Sequence, residues 1–307
     1  MTDDVHALDL RFLGAPRVIA CGVLPVEGGV ALVDPGPSST LPALEAGLGA
    51  LGHDLGDVRA LVLTHIHLDH AGATGTLVRR LGVPVWVHEV GARHLARPER
   101  LIASATRLYG ALMDTLWGAF EAVPESALRP LAGGEAVDVG GRTLDVAYTP
   151  GHAVHHVAYF DRATSTAFVG DAVGMAVPPS GRVLPVTPPP DVDLEAWPAS
   201  LDRVAAWAPG RLFRTHWGAS ATPAADLDAF RAALGEWADR VRADLAGGDP
   251  AERAAAFSDE VLGTLEAEVG AEAAAPYRAF LYPDASWHGL ARALRPARGG
   301  PGGGGAA

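Results

Sequence analysis

The chain has 307 residues, about half of them apolar, and a formal charge of −12. Its 24 basic residues are all arginine, because lysine is absent, as are asparagine and glutamine. An acidic chain without a basic stripe is a poor nucleic-acid binder, since such affinity rests on neutralising phosphates. The single cysteine, Cys21, excludes an intramolecular disulfide and any cysteine-based metal cluster, and reads as a buried thiol in "VIACGVLPV".

The first residues are acidic where a signal peptide would be basic, and no window approaches the ~18 apolar residues that span a bilayer. A cytoplasmic protein with no membrane partner is the expectation. Short apolar runs punctuated by Gly and Pro fill residues 8–34 and read as antiparallel strands. A helical pattern over 40–51 follows, then a strand at 59–63, a histidine cluster, a helix over 73–81 and the strand "VPVWVHE". This alternation implies a layered α/β sandwich.

The rhythm breaks at residues 92–123, where apolar positions recur at helical spacing; a helical insertion at about 92–127 is expected. Tyr109, Met113 and Trp117, each four residues apart, either pack as an ordinary helix face or lay a stripe over a cleft. Strands resume in "AVDVGGRTLDVAYT", turned at Gly140 and Gly141, and the strands "HVAYFD" and "STAFVGD" pair around Arg162 and Ala163. The run "PPSGRVLPVTPPPD" is too rich in proline for a central strand and is expected to be a loop. A helix over 194–207 and the strand "RLFRT" are expected to complete a first domain of residues 1–220. Residues 221–295 form a helical segment with breaks at "GGDP" and "APY", and the Gly-rich tail 296–307 cannot bury surface and is expected to be disordered.

The stretch "LVLTHIHLDHAG" places His65, His67, Asp69 and His70 directly after a strand. Side chains alternate along extended backbone, so His65 and His67 can point at one ion while Asp69 and His70 point at a second. Three more candidate ligands recur at strand ends: His152 in "YTPGHAVHH", Asp171 in "FVGDAVG" and His216 in "RTHWG". His155 and His156, just past His152, are candidates either for supporting a ligand from behind or for substrate contact, and His88 at another strand end is a weaker candidate.

The segment "THIHLDHAG" resembles the H-x-H-x-D-H signature of the metallo-β-lactamase superfamily, and the order of the remaining ligand segments matches over about residues 8–220. The resemblance implies a four-layer αββα sandwich with metals at one edge of two sheets. It implies that His65, His67 and His152 hold one ion, that Asp69, His70 and His216 hold a second, and that Asp171 bridges them. Asp34 in "ALVDPG" matches the family's acidic residue that orients a ligand. The ligand set looks like the glyoxalase II and lactonase branches.

Five neutral imidazoles and two carboxylates around two dications leave a formal charge of about +2. Water between such ions would ionise near neutrality, by analogy with zinc-bound water of pKa ~7. The expected function is a dinuclear metal hydrolase of a small ester, thioester or lactone, with that hydroxide as nucleophile and Asp69 orienting it or accepting its proton. Zinc is the favoured ion, with iron or manganese compatible with the same donors. The alternative is a mononuclear non-haem iron persulfide dioxygenase. The expected partner is a small-molecule substrate, and the helical insertion and tail are compatible with a homo-oligomer. The substrate pocket is expected to include Tyr109, Met113, Trp117 and His156.

Overall fold

Residues 4–295 are described here in a computed structural model of the chain. The tail expected to be disordered at 296–307 lies outside them. Strands β1 (His6–Asp9), β2 (Ala20–Val26) and β3 (Gly29–Val33) form an antiparallel meander. Helix α1 (Leu41–Ala50), strand β4 (Val58–Val62), the one-turn helix α2 (Leu68–Ala71), α3 (Thr74–Leu81) and strand β5 (Val85–His88) follow. Helices α4 (Glu89–Ala96), α5 (Glu99–Tyr109) and α6 (Met113–Trp117) lead to β6 (Leu128–Leu131). These six strands make one sheet in sequential order, parallel from β3 through β6.

The second sheet holds β7 (Ala136–Val139), β8 (Arg142–Tyr148), β9 (Val157–Asp161) and β10 (Thr166–Phe168). A separate two-stranded ribbon, β11 (Met175–Val177) and β12 (Arg182–Leu184), and helix α7 (Trp197–Ala206) intervene before β13 (Arg211–Arg214) and β14 (Gly218–Ser220). The spatial order of this sheet is β14-β13-β10-β9-β8-β7, with β10 and β13 parallel. Helices α8 (Pro223–Asp244), α9 (Pro250–Val269), α10 (Ala271–Phe280) and α11 (Pro283–Ala293) finish the described chain.

Alternation along the strands sorts residues into two cores. Ala31, Val33, Ala60 and Val62 of the first sheet meet Val146, Tyr159, Phe168 and Phe213 of the second, filling the space between the sheets. The opposite face of the first sheet, with Val30, Leu32 and Leu61, packs under Leu44, Leu48 and Leu77 of α1 and α3. Ala158, Ala167 and Leu212 on the outer face of the second sheet lie in the same cluster as Leu201 and Val204 of α7. The result is the four-layer αββα sandwich.

Three local features differ from expectation. The proline-rich run is not all loop: Arg182–Leu184 pairs with β11, and Gly181 at φ +71° supplies the turn. It escapes the proline restriction because it forms a detached ribbon instead of joining a main sheet. The helical insertion is three helices, broken after Ala96 and again at Gly110, where φ is +53°. In the C-terminal segment α10 runs through Pro276, and the break falls instead at Gly270, whose φ of +83° ends α9.

The C-terminal helices fold back on the sandwich. The Tyr277 hydroxyl donates to the Arg17 carbonyl (2.7 Å), Phe230 of α8 packs on Trp197, and the Phe280 ring lies 4.7 Å from that of His216. Among the described residues no helix is long and apolar enough to cross a membrane.

Candidate metal centre

The seven expected ligands stand at the C-terminal ends of four strands. His65 and His67 follow β4, with Asp69 and His70 on α2; His152 follows β8, Asp171 follows β10 and His216 follows β13. Because β4 belongs to the first sheet and the others to the second, the sandwich edge brings segments some 150 residues apart in sequence to one point.

Asp34, at the end of β3, is the node of this edge. Its Oδ1 accepts from the Thr64 amide (2.8 Å). Its Oδ2 accepts from the Thr64 hydroxyl (2.7 Å), the Thr215 hydroxyl (2.7 Å) and His70 Nδ1 (2.9 Å). One fully buried carboxylate thus ties both sheets to a candidate ligand, and it does so from a left-handed backbone, φ +51°.

The ring nitrogens facing away from the centre fix the tautomers of four histidines. His152 Nδ1 lies 2.7 Å from the Val186 carbonyl and His216 Nδ1 lies 2.9 Å from that of Val18. A carbonyl only accepts, so both Nδ1 atoms carry the proton and both Nε2 atoms present lone pairs. His70 Nδ1 likewise donates to Asp34. The Thr64 hydroxyl, spending its proton on Asp34, accepts from His65 Nδ1 at 3.1 Å.

The freed Nε2 atoms converge. His67 Nδ1 lies 3.0 Å from His65 Nε2 and 2.9 Å from His152 Nε2. His216 Nε2 lies 3.2 Å from Asp69 Oδ2 and 3.6 Å from Asp171 Oδ1, and His70 Nε2 lies 3.3 Å from Asp171 Oδ1 and 3.6 Å from Asp69 Oδ2. Asp171 Oδ2 is 3.5 Å from His152 Nε2, so its two oxygens face both halves of the cluster. Lone pairs and carboxylates crowded at this range repel one another unless protons or metal ions lie among them. His70 Nε2, His216 Nε2 and Asp171 Oδ1 are buried without a hydrogen-bond partner, as coordinating atoms would be. Three groups can each hold an ion: His65 with His67 and His152, His65 with His70 and Asp171, and Asp69 with His70 and His216. Imidazole with carboxylate suits zinc, iron or manganese, so the residues fit the metals expected of them.

The electrostatics divide the cluster. Burial, followed by the neighbouring imidazoles, depresses His65 well below the usual histidine value and His67 to about 3. Burial also lowers His152, although Asp171 opposes it. For His70 and His216 burial acts in the same direction, yet the surrounding carboxylates outweigh it and raise both. Asp69 and Asp171 are held below the usual carboxylate range by these imidazoles despite their burial.

A cavity of about 550 Å³ opens over the cluster, with His67, Asp69 and Asp171 in its lining. Tyr109 and Trp117 line it as expected, their rings 5.0 Å apart edge to face. Met113 and His156 do not line it. Met113, half-buried just beyond the break at Gly110, packs against the core without reaching the cavity. His156 is fully buried beneath the cluster, with Nδ1 2.8 Å from the Thr149 hydroxyl, while its neighbour His155 reaches the cavity instead. His88 stacks on Tyr148 and accepts from the Val90 amide, outside the cavity lining. The remaining walls include Arg100, Arg107, Asp191 and the corner Phe280–Tyr282. Sequence reasoning did not place these, because only tertiary packing of α5 against the α10–α11 corner brings them together. The one available signal was Tyr282 and Phe280 flanking a helix break.

A family model described as the metallo-beta-lactamase superfamily matches residues 14–216. A metallo-beta-lactamase fold-containing protein of Sulfurisphaera tokodaii is 31% identical over 146 residues, 47% of this chain and 54% of that protein. A hydroxyacylglutathione hydrolase of Thermosynechococcus vestitus is 30% identical over 149 residues, 48% of this chain and 46% of that one. The chain therefore spans about half the length of these curated relatives. Among solved structures, a metallo-beta-lactamase family protein of Thermus thermophilus superposes with a TM-score of 0.65 at 26% identity, covering 89% of this chain and 86% of that one.

Proposed function

This chain belongs to the metallo-β-lactamase superfamily, and on that footing we propose that it is a hydrolase holding two divalent transition-metal ions, zinc foremost, and opening a small ester, thioester or lactone. The observation that carries the reading is the convergence of five imidazole lone pairs and two carboxylates at one sheet edge, with Asp171 facing both halves. Relatives named hydroxyacylglutathione hydrolases support a thioester among the candidate bonds.

Bound in this cage, the ions supply Lewis acidity towards a carbonyl oxygen and a water that ionises near neutral pH. The chain's own residues do the rest. Asp69 is ionised at neutral pH and lies between the cluster and the cavity, so its carboxylate can orient the attacking water and take up its proton. The Tyr109 hydroxyl, pushed up by burial and then by Asp69, stays protonated and can donate to the substrate's oxygen. Ile66, Leu68 and Leu101 line the same cavity and exclude bulk water.

Metal analysis of purified protein combined with a panel of thioesters, esters and lactones tests this reading. Two ions per chain and turnover abolished by chelation are expected, with His67→Ala losing both one ion and activity. One iron per chain with oxygen consumption on a persulfide would replace hydrolysis by oxidation, and protein that carries no metal would remove the reading altogether.

A further inference from the structure

The walls of the cavity narrow the substrate beyond what the cage specifies. Its volume, about 550 Å³, falls in the range of sites that bury a drug-sized ligand. One wall is the face of α5 carrying Leu101, Ala105 and Leu108, at helical spacing. The facing wall is the corner between α10 and α11, where Phe280, Leu281 and Tyr282 lie; Tyr109 joins the two walls, its ring 5.6 Å from that of Tyr282. Leu108 is 43% exposed, an apolar side chain open to the cavity and solvent.

Polar side chains share this lining with the apolar walls, among them His94, Ser104, His155 and Asp191. Near the cage, His155 is 6% exposed, its Nδ1 has no hydrogen-bond partner, and its Nε2 lies 4.0 Å from Asp191 Oδ2. Arg100 and Arg107 also line the cavity, seven residues apart and so on one side of α5, and both are exposed. Among the described residues neither pairs with an acidic side chain, whereas Arg97, just before this helix, pairs with Glu125. Two uncompensated guanidiniums at the solvent side of an apolar cavity, in a chain of charge −12, form a local anion-binding edge.

We infer that the site takes an amphipathic acyl substrate: its ester or thioester lies at the cage, its apolar chain or ring lies between α5 and the α10–α11 corner, and an anionic group at its far end is held by Arg100 and Arg107. The inference rests on the hydrolase reading for the floor of the cavity and on these walls for the rest. A carboxylate and a phosphate share the chemistry that the two arginines recognise.

The test is calorimetric binding to zinc-loaded protein of three non-hydrolysable probes: dodecanoate, dodecanedioate and ω-phosphonododecanoate. The doubly anionic probes are expected to bind about tenfold more tightly than dodecanoate, the factor that ~1.4 kcal/mol supplies. That preference should disappear in R100Q/R107Q, with dodecanoate affinity nearly unchanged, and persist in R97Q. A preference confined to the phosphonate or to the dicarboxylate identifies the anion. Equal binding of all three probes, or a preference that survives in R100Q/R107Q, overturns the inference. Thioester hydrolysis without arginine-dependent selectivity removes this inference and leaves the hydrolase reading standing. Arginine-dependent binding by zinc-loaded protein that hydrolyses nothing does the reverse. Both arginines are exposed, so matching thermal melts check that the variants fold.

Discussion

Asp34→Asn separates the role of charge from that of shape at the node of the site. Asparagine is isosteric and tolerates the left-handed backbone found there, φ +51°, so backbone strain changes little. The carboxylate accepts four hydrogen bonds, three at Oδ2 and one at Oδ1. The amide satisfies the larger set if its oxygen takes the Oδ2 position, which turns its NH2 towards the Thr64 amide. That leaves a buried backbone donor facing another donor, at ~1–3 kcal/mol. The three remaining bonds lose their charge assistance, roughly half their strength. The sum is about 3 kcal/mol of folding stability. Because His70 Nδ1 then donates to a neutral amide oxygen instead of a carboxylate, its basicity falls and affinity for the ion at His70 should drop about 10–100-fold. Urea unfolding of metal-free protein reads the first effect, and zinc titration against a chromophoric chelator reads the second. Stability within about 0.5 kcal/mol of the parent, with zinc affinity unchanged, would refute the assignment of Asp34 as the group that holds the cluster together.

Acidification should empty the two halves of the site in order. His70 and His216 have raised values in the metal-free protein, so their protons stabilise that fold below the usual histidine pKa, and the contribution is lost as pH rises through the raised value. A metal must displace these protons, whereas the depressed His65, His67 and His152 stay neutral. Dialysis from neutral to mildly acid buffer is expected to leave about one ion per chain, held by the latter three; simultaneous loss of both would contradict this. Arg142→Ala should destabilise by about 3 kcal/mol without altering metal content, since it removes the cation held bidentately at 2.7 and 3.1 Å by buried Asp161 and leaves that carboxylate only its Ala163 and Thr164 donors, at the end of the β8–β9 pair away from His152. Gly289→Ala would drive a Cβ into the Thr187 carbonyl oxygen, pushing α11 off the loop that supplies Pro188 and Pro189 to the cavity. A loss of about 1–3 kcal/mol and a raised KM are expected, read by thermal melts and steady-state kinetics.

The ligand positions were legible because their signal is local: donor residues directly after apolar strands, at the place where a sheet edge exposes side chains. Asp34 was legible as an acid at a strand end, but not as an acceptor of four bonds, since Thr215 reaches it from 181 residues away. The pocket was only half legible. Tyr109 and Trp117 line the cavity and Met113 does not, because a glycine at φ +53° ends the continuous helix that the spacing assumed, so the stripe is not one helix face. His156 and His155 are neighbours in sequence, and nothing local decides which faces the cavity. Arg100 and Phe280 could not be paired at all, because they meet only through the docking of α10 and α11.

Anomalous diffraction from crystals grown in zinc tests the cage most directly. Two peaks are predicted, one among His65, His67 and His152, the other among Asp69, His70 and His216, with a carboxylate oxygen of Asp171 in bonding range of each. A single peak at saturating zinc, or two peaks with Asp171 bonded to neither, would contradict the account.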